Sequence, residues 1–106
     1  MNIKQELKYA RGMVERRKEE ALTIGNARSL RHAREIHQSM TTCVREVKKH
    51  RDNILNAIDD STALEAKEVL ALFVTAMDWH YRAGEDLRGF GVAQAEINNI
   101  NREVGI

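Results

Sequence analysis

LRHAREIHQSMTTCVREVKKHRDNILNAI, residues 30–58, is the stretch whose reading decides the fold. Taken every three or four residues, it gives Leu30, Ala33, His37, Met40, Val44, Val47, Arg51, Ile54 and Ile58. Only His37 and Arg51 break this apolar 3-4 repeat, and no glycine or proline interrupts it. The spacing predicts one long amphipathic helix of about 45 Å. Everything on either side is shorter and is expected to pack beside it.

Upstream, Asn2 suits a helix N-cap, with Gln5 in the capping-box position. A seam of Ile3, Leu7, Ala10, Val14, Arg17, Ala21 and Ile24 follows. Gly25 can take the left-handed conformation that ends a helix, and Asn26 can cap the next. The spacing therefore predicts helices over 3–24 and 27–58. Downstream, Thr62 and Glu65 make a T-x-x-E capping box after the turn at 59–62. The helix over 62–88 is the most apolar. One row is Ala66, Leu70, Phe73, Met77, His80, Gly84 and Leu87; the other is Val69, Leu72, Ala76, Trp79 and Ala83. So broad an apolar face needs neighbours on two sides. Gly89 and Phe90 are read as its C′ and C″ residues. A short helix over 92–104 follows, with Ala93, Ile97, Ile100 and Val104 on one face. The expected fold is all-α: an up-down-up three-helix bundle with a C-terminal appendage. The middle helix outruns its neighbours, and that surplus points to a homodimer.

Composition narrows the function classes. The 106 residues suit one domain, with a thin core and no roomy catalytic pocket. Net charge is +1 overall but unevenly spread. Residues 1–53 carry 13 basic and 7 acidic side chains; residues 54–106 carry 4 and 9. Such asymmetry fits either complementarity between chain segments or an anionic partner. The single Cys43 excludes an internal disulfide and suits a reducing cytoplasm. The longest apolar run, 69–77, is far too short for a membrane span, so no membrane role is expected. The opening residues, Met1-Asn2-Ile3-Lys4, carry no apolar targeting segment.

Each chemically suggestive residue has a plainer reading beside it. His37 in the seam could be a ligand or pH switch, but reads better as a satisfied interior or interface residue. Arg51 is expected to reach Asp59, Asp78 or a second subunit. Trp79, His80 and Tyr81 could line a ligand site, yet suit a packed interface better. With Phe73, Met77, Phe90, His37 and Arg51 they form the candidate partner or dimer surface. His32 with Glu35, and Glu46 with His50, have metal-ligand spacing, but Arg31, Arg34, Lys48 and Lys49 surround them with positive charge. No Glu-x-x-His pair supports a di-metal bundle, and Cys43 lacks a thiolate partner, so no metal or cofactor is expected. Gly89-Phe90-Gly91 is not a phosphate loop. No pair of catalytic groups stands at usable spacing, so the chain does not read as an enzyme. Arg28, Arg31, Arg34, Arg45, Lys48 and Lys49 form a candidate anion or nucleic-acid face, with nucleic acid a possible partner. The leading expectation is a cytoplasmic, non-enzymatic protein that binds another macromolecule as an adaptor, assembly factor or inhibitor. A compact, proline-free helical chain of this kind fits a phage or mobile-element product. The alternative is a nucleic-acid accessory protein using the basic half.

Overall fold

The computed structural model describes residues 2–103 and is all-helical across them, with four α-helices. Helix α1 spans Ile3–Ala21, α2 Leu30–Asn56, α3 Ala63–Gly89 and α4 Gln94–Glu103. A 3-10 turn, Asp60–Thr62, precedes α3. Val104, expected on the last helical face, lies outside the described residues. No helix among these residues is long and apolar enough to cross a membrane.

The core is stacked in layers along the bundle. At one end Leu7 and Ala10 of α1 meet Ile54 of α2 and Ala66 and Val69 of α3. In the middle Val14 meets Cys43, Val44, Val47 and Ala76. Next, Ala21 and Ile24 pack with Ile36, Met40 and Ala83. The start of α1 thus lies beside the end of α2 and the start of α3, which is an up-down-up order. At the far end Ala33 and Leu87 are closed over by Ile97 of α4.

The buried face of α2 contains the expected seam from Ala33 to Ile54, apart from half-buried Arg51, and extends beyond it. Leu30 and Ile58 are exposed, while Ile36, Cys43 and His50 are buried. These three stand one position before His37, Val44 and Arg51, so the apolar stripe is broader than the 3-4 repeat alone. A helix flanked by both α1 and α3 needs that breadth.

The helix ends are also corrected. Asn2 caps α1 as expected: its side-chain oxygen accepts from the Lys4 and Gln5 N–H groups at 3.0 and 3.3 Å. Gly25 takes φ +87°. However, α2 starts at Leu30 rather than residue 27, because Ser29 is the cap and accepts from the His32 N–H at 3.1 Å. Ala27 instead packs against the core. The capping box is Asp59 with Thr62, not Thr62 with Glu65: Thr62 Oγ1 accepts from the Asp59 N–H at 2.9 Å. At the end of α3, Gly91 rather than Gly89 takes positive φ, at +92°. The Val92 N–H donates to the Leu87 carbonyl at 3.1 Å and the Gly91 N–H to that of Arg88 at 2.9 Å. That is a Schellman closure in which Val92, packed near Leu87, does what was expected of Phe90.

Candidate functional site

The outer face of α3 is the most conspicuous surface feature. Leu70, Val74 and Tyr81 are 42%, 66% and 67% exposed, and half-buried Met77 lies between them. Their spacing of four, three and four residues puts all four on one stripe. Exposed Lys67 and Glu85 flank it, five helical turns apart. Beside it, Arg82 donates to Asp78 at 3.1 Å and Arg88 to Glu85 at 3.1 Å. Single exposed apolar residues are ordinary, whereas these four fall on one contiguous stripe.

The expected interface residues divide between this face and the interior. Met77 and Tyr81 belong to the stripe. Trp79 does not: it packs against the two central core layers. Phe73 is half-buried beside the stripe, with the Arg51 guanidinium 4.2 Å above its ring centroid. Arg51 therefore reaches neither Asp59 nor Asp78. Its guanidinium donates to neighbouring Asp52 at 2.8 and 3.1 Å, and the aromatic ring covers the rest. Phe90 is exposed at the far end of α3.

His37 and His80 lie inside the protein, 3% and 4% exposed. Their rings stack with centroids 4.8 Å apart and planes tilted by 30°. Both Nε2 atoms are buried without a hydrogen-bond partner among the described residues. His37 is thus buried as expected but not satisfied. Burial pulls both imidazoles toward the neutral form. His80 is lowered to about 4, with the neighbouring His37 contributing. His37 is lowered by burial and then by Arg34, against an opposing pull from Glu96. Helix α4 sits across this pair, with Ile97 in the space that Gly84 leaves open. A cavity of about 360 Å³ on the α2 side is lined by residues including Arg34, His37, Thr41, Arg45 and Ile100. A smaller one of about 110 Å³ lies by His80, Tyr81, Gly84 and Asn101.

The basic face is partly spent internally. Arg31 pairs with Glu35 at 3.5 Å, Arg34 with Glu96 at 2.8 Å and Lys48 with Asp52 at 3.9 Å. Among the described residues this leaves Arg28, Arg45 and Lys49 without a carboxylate partner. Glu46 and His50 do not come together as ligands. His50 Nδ1 instead lies 2.5 Å from the Glu6 carboxylate, which also accepts from Asn53 at 3.3 Å. Those bonds hold the Glu6 carboxyl below its ordinary range, His50 contributing most. Nothing in the sequence announces this pair, whose members are 44 residues apart. No group of three or more His, Cys, Asp or Glu side chains converges on a metal position among the described residues. The Cys43 thiol is fully buried, and burial raises its pKa, so the reactive thiolate is disfavoured.

Val74 is the residue that the row-by-row reading left out. Its signal was present: Leu70, Val74, Met77 and Tyr81 form a third apolar row on α3. Leu70 and Met77 also belong to the first row, and with Val74 and Tyr81 they form its outward-facing edge. Compared with known proteins, the chain matches no family model, no curated protein and no solved structure.

Proposed function

We propose that this chain is a non-enzymatic helical module that acts by binding another macromolecule through the outer face of α3. It would serve as an adaptor, an assembly factor or an inhibitor of a partner protein. The observation that carries this reading is the exposed stripe Leu70, Val74, Met77 and Tyr81. A lone stripe of this kind loses free energy in water and gains it under a partner helix. The buried, thiol-form Cys43 fits a cytoplasmic setting.

The nucleic-acid alternative draws on Arg28, Arg45 and Lys49. Their neighbours Arg31, Arg34 and Lys48 already hold carboxylates, so fewer phosphates could be neutralised than the sequence suggests. The α3 reading is therefore preferred.

Affinity capture from the native host tests it. Wild-type protein is expected to retain partners that Val74→Lys releases, while circular dichroism shows the variant equally helical. Identical capture by both proteins would overturn the docking face.

A further inference from the structure

Building on this reading of the α3 face, we propose that its occupant is the same face of a second copy, docked antiparallel. The two-fold axis would pass between Thr75 and Ala76. The inference rests on how the stripe is laid out. Leu70 and Tyr81 stand equally far from that point, as do Val74 and Met77. An antiparallel partner therefore brings Leu70 against Tyr81 of the second copy and Val74 against Met77 of the second copy. Symmetry then repeats both contacts. The stripe is its own complement, as an isologous interface requires.

The charges follow the same symmetry. Lys67 flanks one end of the stripe and Glu85 the other, on the same side of α3 because five turns separate them. Lys67 has no carboxylate partner in its own chain among the described residues. In the antiparallel arrangement it comes level, within one residue, with Glu85 of the second copy, whose carboxylate also accepts from Arg88 of its own chain at 3.1 Å, and the contact forms twice. A parallel two-fold arrangement would put the Lys67–Glu85 flank of one copy on the opposite side of the helix pair from that of the second, so no Lys67–Glu85 contact would form. The loss of both ion pairs disfavours that alternative. Antiparallel helix dipoles also favour the first arrangement.

Size sets the strength. The stripe spans twelve residues of helix, about 16 Å, and offers much less than the roughly 800 Å² per partner of a standard stable interface. The dimer is accordingly a reversible one, with a dissociation constant in the roughly micromolar range or weaker.

Cysteine pairing distinguishes the arrangements, since native Cys43 is fully buried and does not interfere. Leu70→Cys chains mixed with Tyr81→Cys chains are expected to form a covalent dimer under mild oxidation. Each variant alone is expected to remain uncrosslinked. Light scattering on the wild type should show mass rising from monomer toward dimer with concentration. Lys67→Glu should weaken association about tenfold, and adding Glu85→Lys to it should restore the original affinity. Self-crosslinking of Leu70→Cys would overturn the antiparallel register. A wild type that stays monomeric at about millimolar concentration would overturn the second copy as occupant. If Val74→Lys still releases a host protein in that case, the docking face stands with a different partner. If it releases nothing, both readings fall.

Discussion

His37 and His80 are buried, stacked and unpartnered at Nε2, so each is held neutral where free histidine begins to take up protons. The unfolded chain binds those protons near pH 6.5, whereas folded His80 does so only near 4. The contribution to stability is complete above about 6.5 and is lost as pH falls toward 4. For His80 alone the loss is on the order of 3 kcal/mol. Glu6 adds to it at lower pH: its hydrogen bond with His50 lowers the folded carboxyl's pKa, so the stability it contributes above the unfolded pKa is lost as pH falls through the lowered folded value. Melting temperature is expected to drop steeply between pH 7 and pH 4.5. His80→Phe should flatten that slope while leaving the protein folded at pH 7. An unchanged slope would mean that the stacked pair does not govern the acid response.

Among the elements, α4 is held most lightly. It contributes Ile97 to the end of the core and Glu96 to the 2.8 Å pair with Arg34, a half-exposed contact of small value. Ile97→Ala is expected to detach α4 without unfolding α1–α3. Amide exchange over 94–103 should rise to nearly the free rate, and overall helicity should fall only by that segment. Loss of protection across the whole chain would instead make α4 part of the cooperative core. The existence and order of the helices were legible in the sequence, because apolar periodicity reports which face is buried. Their ends were less so. Gly25 and Asn2 behave as read, yet Ser29 displaces Asn26, Asp59 displaces the Thr62 box and Gly91 displaces Gly89. In each case two good capping types stand within a few residues, and tertiary packing chooses: Ala27 goes to the core, and Val92 goes against Leu87. The candidate site was half legible for a related reason. Periodicity marks apolar rows, but only the assembled bundle shows which row is left without a neighbour.

Taken as a whole, the molecule measures 47 × 26 × 17 Å, and its three principal core layers each draw side chains from α1, α2 and α3. None of α1–α3 can leave without opening all three of these layers, so the three-helix bundle should unfold as one cooperative unit. Ile54→Ala removes the largest fully buried side chain from the layer that also holds Leu7 and Val69. It is expected to cost about 3 kcal/mol, read as a lower urea midpoint with an unchanged denaturant slope. A split transition would show that the layers are independent.

Ala10, Ala66, Ala76 and Ala83 are all buried where helices cross, two of them with no accessible surface at all. Their value lies in what they lack: short side chains let the backbones approach, and larger ones would wedge them apart at about 1–3 kcal/mol per site. The constraint on this chain's evolution is therefore unlike what its large residues suggest. In a library of random variants sorted for folded protein, these four alanines should tolerate replacement as poorly as Ile54 or Met40. Exposed Leu64 and Leu22, chemically far more hydrophobic, should drift freely.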